Sequence, residues 1–342
     1  MTIKTAIIGY GFAAKTFHEP FIRALDGYEL IAASGSNATE AKQYWPEMIA
    51  YRHYQEMLES SSAELYIVTT PNDSHFEITQ ALLKTGKRVI LDKPACTSSS
   101  QLNELIRLEK ESSGSVSIFQ NRRWDGDFLT LKKLIGEGRL GEIRRFESHF
   151  DRARPTPKTR WRELPGEGTG IWFDLGPHLI DQALQLFGKP SAVTADIRTL
   201  REGASVDDYF DALLHYSNTV VKLHSSPFCF GRPLRYDVQG TQGRFVKYAM
   251  DPQEAQLING KAFSTPSWAA EEFANFGRLH NEQGDERVTT VPGNYAQFFE
   301  QVKDFIEGVA ENPVPMESVV DQIAIIEAGF LSSKTQKSIE PI

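Results

Sequence analysis

The sequence predicts an α/β protein: a doubly wound parallel sheet at the N-terminus, then an α+β domain of mostly antiparallel sheet. Three observations carry this. Apolar β-prone runs alternate with amphipathic stretches up to residue 120, the pattern of strands joined by covering helices. Beyond that point strand candidates crowd together and are joined by turn residues, which suits antiparallel or mixed pairing. The length of 342 residues exceeds a typical single core, so two domains are expected, 1–120 and 121–342.

The first strand is expected over Thr5 to Ile8, with glycines following and a helix over Ala14 to Leu25. After the Asp26-Gly27 turn comes a second strand, Glu29 to Ala33. A helix around Gln55 to Glu59 leads into a third, Leu65 to Thr69. The alternation continues with a helix at Phe76 to Lys84, a strand at Arg88 to Leu91, a helix at Gln101 to Glu111 and a strand at Val116 to Phe119. In the second half a helix over Leu129 to Gly136 precedes strands at Ile143–Phe150, Ala192–Leu200, Tyr209–Tyr216, Val220–Ser226, Arg235–Gln239 and Gly243–Tyr248. The stretch from Gly260 to Pro292 is polar and broken by Pro and Gly. Periodic segments at Tyr295–Gly308 and Ser318–Ser333 read as helices.

Composition narrows the class. Hydrophobic residues at 40% and charged residues at 24% describe an ordinary globular chain. A net charge of -8 argues against a broad basic surface for nucleic acid. Cys96 and Cys229, the two cysteines, form neither a disulfide framework nor a paired-cysteine metal site, and no metal is expected. The N-terminus lacks the long apolar segment of a secretory signal and no stretch reaches the roughly 20 apolar residues of a membrane span. A cytoplasmic protein with no membrane partner is the expectation.

The first chemical signal is Gly9-Tyr10-Gly11-Phe12-Ala13-Ala14, a Gly-x-Gly-x-x-Ala run between the first strand and first helix. Gly9 permits a tight turn, Gly11 lets backbone approach a pyrophosphate, and a small third residue lets helix pack on strand. The amides and dipole of the helix start favour phosphate. This is the fingerprint of a Rossmann dinucleotide site, with Gly9, Gly11, Phe12 and Ala13 against the cofactor. An NAD-selective site usually ends its second strand in Asp or Glu. Here the position falls in Ala33-Ser34-Gly35-Ser36-Asn37, without a carboxylate. A 2′-phosphate meets no repulsion there, and Ser34, Ser36 and Asn37 can donate to it. NADP is therefore favoured over NAD, with Lys42 or Arg52 as the nearest candidates for a cation.

Two further motifs fall at strand ends, where doubly wound sheets bind ligands. Thr70-Pro71-Asn72-Asp73-Ser74-His75 follows the third strand; Pro and Asn also simply form turns, and a His at a helix start can be a cap. Leu91-Asp92-Lys93-Pro94 places a lysine where it can polarise a carbonyl or alkoxide oxygen. Later, Asp174 and His178 within Asp174-Leu175-Gly176-Pro177-His178 share a helix face at i, i+4, if the helix begins near Asp174 with Pro177 in its first turn.

Taken in order, these motifs resemble the glucose-fructose oxidoreductase / inositol dehydrogenase / rhizopine catabolism (Gfo/Idh/MocA) family. The likeness spans nearly the whole chain. Asp92 departs from the family's more frequent Glu before Lys-Pro but keeps the charge. Asn121-Arg122-Arg123-Trp124-Asp125 and Phe146-Glu147-Ser148-His149-Phe150-Asp151-Arg152 look closest to the branch of NADP-dependent scyllo-inositol dehydrogenases. The resemblance implies an oxidoreductase acting on a secondary alcohol of a cyclic polyol or sugar. It implies Lys93, Asp174 and His178 as catalytic residues, with Arg152, Trp161 and Arg162 lining the substrate pocket. To the cofactor contacts it adds Thr70, Pro71, Asn72, His75, Asp92, Lys93, Asn121 and Arg122. Arg123 and Trp124 are expected to brace the domain junction, and Tyr209, Phe210 and Tyr236 to pack. Rival readings are an aldose, deoxy-ketose or dihydrodiol reductase of the same family, or a non-catalytic NADP sensor. A homodimer or homotetramer is expected, because an open sheet has a face to bury.

Overall fold

A computed structural model describes residues 2–342. In chain order the first elements are β1 (Ile3–Ile8), α1 (Glu19–Ala24), β2 (Tyr28–Ser34), β3 (Ile49–Tyr51), α2 (Tyr54–Ser60), β4 (Leu65–Val68), α3 (His75–Lys84), β5 (Arg88–Asp92), α4 (Ser99–Glu111) and β6 (Ser115–Phe119). Their six strands are ordered β3-β2-β1-β4-β5-β6, all parallel, as a Rossmann sheet requires. β4 is buried along its whole length, as expected of a strand covered on both faces. The helix after the glycine turn starts loosely, π-wound over Ala14–His18, before α1. The short β3 was not anticipated; Leu65–Val68 is accordingly the fourth strand.

The remainder comprises α5 (Gly126–Gly136), β7 (Ile143–His149), α6 (Ile171–Phe187), β8 (Ala192–Arg198), β9 (Tyr209–His215), β10 (Val220–Ser225), β11 (Leu234–Gly240), β12 (Arg244–Tyr248), α7 (Gln253–Ile258), β13 (Gly277–Asn281), β14 (Gly284–Val288), α8 (Ala296–Ile306) and α9 (Val320–Thr335). Eight strands form a mixed sheet, ordered β14-β13-β12-β11-β7-β10-β9-β8, with β7 and β10 its parallel pair. The hairpin β13–β14 lies inside the polar stretch that the sequence presents as irregular. Its second strand is almost wholly exposed, so it shows no apolar alternation.

The chain forms two compact units. The first is Met1–Asn121 with Gln253–Trp268 and Asn294–Val320; the second is Arg122–Pro252 with Ala269–Gly293 and Asp321–Ile342. A single continuous domain over 121–342 is therefore not how the chain divides. The reason is aromatic packing. Phe299 of α8 stacks on Phe21 of α1 at 5.1 Å, Phe263 stacks on the same ring at 5.2 Å, and Tyr28 donates to the Phe299 carbonyl at 2.6 Å. Each such buried ring is worth about 1.5–3 kcal/mol, so returning α8 to the first unit completes its core.

His18 sits in that core without exposure, 4.2 Å from the Phe119 ring and 5.9 Å from Phe299. Burial pushes its imidazole down from 6.5 to about 4, and Asp92, at 4.0 Å, offsets only part of this. The unfolded chain then binds the extra proton first. Stability from this group is complete above pH 6.5 and is lost as pH falls toward 4. At a pH midway down that interval the loss amounts to about 1.7 kcal/mol. Urea unfolding at neutral and acid pH should show this, and His18→Leu should flatten the difference. Equal pH slopes in the two proteins would remove His18 as the cause.

Candidate active site

In the first unit the glycine turn follows β1 directly. Gly9 takes φ +89°, and a Cβ there would come within 2.8 Å of Thr70 Cγ2. Only glycine fits. Gly9 and Tyr10 both donate amides to the Ser34 carbonyl at 3.0 Å, and Thr69 Oγ1 donates to the Gly9 carbonyl at 2.7 Å, so the turn is clamped to the ends of β2 and β4. At Gly11 a Cβ would meet only the Gly9 carbonyl oxygen, 3.8 Å away. The space over this backbone is open, and the adjoining helix start supplies amides, so the turn fits a dinucleotide pyrophosphate. Phe12 is exposed and Ala13 half-buried beside it.

At the end of β2, Ser34 is buried while Ser36 and Asn37 are exposed. Those two are the side chains in a position to meet a ligand. β3 adds a cation to this edge: Tyr51 is the register partner of Ser34 and accepts from Gly35 N at 3.2 Å, and exposed Arg52 follows immediately. No carboxylate occupies the Ser34–Asn37 stretch.

His75 has no exposure. Its ring nitrogens lie 2.8 Å from the Pro94 carbonyl oxygen and 3.0 Å from that of Thr70. It therefore staples the Thr70-Pro71-Asn72 loop to the Lys93-Pro94 loop, a positioning role instead of the expected cofactor contact. Burial pushes its imidazole down, outweighing the two carbonyl contacts. Asn72 is buried within the first of these loops. Asp92 Oδ1 accepts from Lys93 N at 2.8 Å, and the half-buried Lys93 precedes a cis peptide bond to Pro94. Asn121 is buried where the first unit's leading segment ends.

The second unit holds Asp174 and His178 on α6. The helix starts three residues before the expected position because it is capped from afar: Asp207 Oδ2 accepts from Trp172 N at 2.7 Å and the Asp207 carbonyl from Ile171 N at 2.8 Å. Gly170, at φ +91°, is obligatory, since a Cβ there would lie 2.0 Å from Asp207 Oδ1. Burial lifts the Asp207 carboxyl to about 6, against the pull of those amides. Pro177 consequently lies inside α6 and not in its first turn, where it removes one helical hydrogen bond. Its carbonyl takes a bond from Gln322 Nε2 at 2.7 Å. The i, i+4 relation of Asp174 and His178 survives this shift. His178 is buried, its ring 6.0 Å from Phe150, and Asp174 is part-exposed.

Around Asp174 lies a cleft whose walls carry Arg152, Arg154, Arg160, Arg162 and Arg201. Arg162 Nε is 3.3 Å from Asp174 Oδ1, and its guanidinium lies 4.4 Å over the Trp161 ring. Three residues read as a substrate pocket thus meet: Arg152 in the wall, Arg162 on the carboxylate, Trp161 backing Arg162. Arg160 pairs with Glu163 at 2.6 Å, and Arg201 with Asp208 at 2.9 Å, which fixes the rim.

Arg122 is not in the wall of this cleft but stands behind Phe150, which is. It is buried in the second unit, 3.3 Å from Asp125, with its guanidinium 4.9 Å over Phe150. Arg123 forks onto Asp181 of α6 at 2.9 and 2.7 Å, a brace within one unit. Tyr236 is buried as packing, as expected. Sequence reasoning missed Arg235, which has no exposure and binds Asp127 at 3.0 Å, Ser148 at 2.8 Å and Gln182 at 2.7 Å.

A parallel six-stranded nucleotide sheet with a clamped glycine turn, joined in one chain to a sheet unit bearing an Asp/His helix, defines an NAD(P)-binding oxidoreductase. Residues 3–120 match the oxidoreductase family with NAD-binding Rossmann fold, and residues 128–246 match the GFO/IDH/MocA C-terminal domain. The chain belongs to the Gfo/Idh/MocA family. It is 43% identical over 341 residues to the uncharacterized oxidoreductase YdgJ of Escherichia coli, covering 98% of each chain. It is 37% identical to the scyllo-inositol 2-dehydrogenase (NADP(+)) IolW of Bacillus subtilis, covering 99% of this chain and 96% of that one. The solved structure of the YPO2259 oxidoreductase from Yersinia pestis is similar with a TM-score of 0.93, at 40% identity over 100% of this chain and 97% of the other. Among the described residues no helix is long and apolar enough to cross a membrane.

Proposed function

We propose that this chain is an NADP(H)-dependent oxidoreductase that interconverts a secondary alcohol of a cyclic polyol or sugar and its ketone, with scyllo-inositol and scyllo-inosose as the first pair. The observation that carries the reading is the arginine-walled cleft at the part-exposed Asp174, one turn from His178 on α6. The NADP-linked relative with a scyllo-inositol name supports the substrate class. A small-molecule substrate, a cytoplasmic setting and a homo-oligomeric working form complete the proposal.

Bound nicotinamide supplies the hydride acceptor for alcohol oxidation, or its donor in reverse. His178 takes the hydroxyl proton, since imidazole exchanges protons in the neutral range. Lys93 stabilises the developing alkoxide. Asp174, held by Arg162, orients the substrate hydroxyls. For the cofactor, Ser36, Asn37 and Arg52 form the edge that receives a 2′-phosphate.

The test is NADPH oxidation against inososes, ketoses and aldoses, with NADH in parallel. An inosose turned over best with NADPH supports the proposal. NADPH binding with no turnover on any of them favours the sensor. Ser36→Asp should shift the NADPH-to-NADH ratio of kcat/KM toward NADH by at least about tenfold, from the repulsion of like charges at close range. An unchanged ratio would remove this loop as the selector.

A further inference from the structure

On the sheet face opposite α6, the second unit gathers a group that the reaction does not use. β7 and β10 run parallel with His149 and His224 as register partners, so the two imidazoles project side by side from one face, ring centroids 5.0 Å apart. Glu147 shares that face, two residues before His149, and Asp151 follows two residues after it. His149, Asp151 and His224 each offer one ligand atom within 4.8 Å of the others. From these we infer a binding site for one divalent ion of the zinc class, with His149 Nδ1, His224 Nε2 and a carboxylate oxygen of Asp151 as its protein ligands.

The separations within the group are close to those of the ligands of one ion. His149 Nδ1 is 3.2 Å from Asp151 Oδ2, and His224 Nε2 is 3.8 Å from Asp151 Oδ1. The His149–Asp151 contact is a hydrogen bond longer than the roughly 2.7–2.9 Å of a charge-assisted pair, and the His224–Asp151 contact is longer still. Ligands about 2.0–2.2 Å from a tetrahedral zinc ion lie roughly 3.4 Å apart, and the present spread needs only small side-chain rotations to reach that. The donor set, two imidazoles and one carboxylate, suits zinc and leaves a fourth position for water.

The surroundings hold these ligands as metal ligands are usually held. When His149 binds through Nδ1, its Nε2–H faces Glu147 Oε2 at 3.4 Å, and Glu147 is itself paired with Arg145. When His224 binds through Nε2, its Nδ1–H faces the Phe210 carbonyl oxygen at 3.5 Å. Each imidazole thus has an acceptor behind it that sets the tautomer the ion requires. Asp151 is fixed by the Ser226 amide, which donates to Oδ1 at 2.9 Å. His149 and Asp151 are about nine-tenths buried, while Glu147 and His224 are 14% and 16% exposed, which leaves a way in from the sheet face. The ion clamps β7 to β10 next to the point where both strands pass into the cleft wall at Arg152 and Ser226. The expectation of no metal, drawn from the cysteines alone, does not reach a His/Asp site.

The experiment uses the tag-free full-length chain, stripped with a chelator and titrated with Zn2+ against a chromophoric competitor. One equivalent should bind per chain and raise Tm. His149→Gln and His224→Gln should each weaken binding by more than about 100-fold, and Glu147→Gln by about 10–100-fold. Absence of stoichiometric binding by the wild type, or unchanged affinity in both histidine variants, overturns the proposal. Should a variant lose its native circular dichroism, Co2+ added to the stripped wild type decides. An intense visible band of a low-coordinate ion supports the site, and the weak band of hydrated Co2+ overturns it.

Discussion

His178→Asn is expected to lower kcat for NADPH-linked reduction of the best polyol ketone by about 10²–10⁴-fold, the usual worth of a positioned general acid or base. Lys93→Met should cost about 10²–10³-fold, the scale for losing one donor to a developing oxyanion. NADPH affinity should stay within about twofold in His178→Asn, because His178 is assigned to proton transfer and not to the proposed cofactor contacts. The loss should fall mainly on kcat, since the proton transfer is made only in the transition state. Arg162→Ala should act differently. Arg162 touches Asp174 and lines the cleft, so its removal loosens substrate in ground and transition states alike and raises KM more than it lowers kcat. Nearly intact turnover in both His178→Asn and Lys93→Met, with cofactor still bound, would sink the assignment.

Most of this site could be read from local pattern, because the residues that define it are close in sequence to the elements that hold them. Gly9 to Ala14 announces its own turn, and Asp174 with His178 announces a shared helix face. What was not legible depends on distant partners. The start of α6 is set by Asp207, 35 residues beyond the amide it caps, so local rules placed the helix three residues late and put Pro177 in its first turn. β3 has only three residues and no apolar alternation, yet it brings Arg52 to the edge of β2. α8 reads correctly as a helix, but nothing local reveals that Phe298, Phe299 and Val302 pack into the first unit. His149 and His224 are separated along the chain and become neighbours only through the parallel register of β7 and β10.

Arg235 is the clearest of these cases, and its replacement should have the largest effect on stability. A single arginine in a strand ordinarily reads as an exposed charge. Here the guanidinium and the Asp127 carboxylate are both without exposure, and the same side chain reaches Ser148 on β7, Gln182 on α6 and the neighbouring Tyr236 hydroxyl. Arg235→Met keeps the volume but leaves Asp127 as a buried charge without its cation, and breaking such a pair costs about 3–5 kcal/mol. Urea unfolding should show that loss with little change in m. Arg235→Met combined with Asp127→Leu should recover much of it, because no stranded charge remains. A loss in the single variant below about 1 kcal/mol would mean that water or another group reaches Asp127. The consequence extends to chemistry. Gln182 stands one turn beyond His178 on α6, accepts from Arg235 and Tyr236, and donates to the Arg122 carbonyl at 2.9 Å. With Arg235 gone, α6 loses one of the bonds that fix Gln182 beside His178, so the double variant should regain stability while kcat remains depressed.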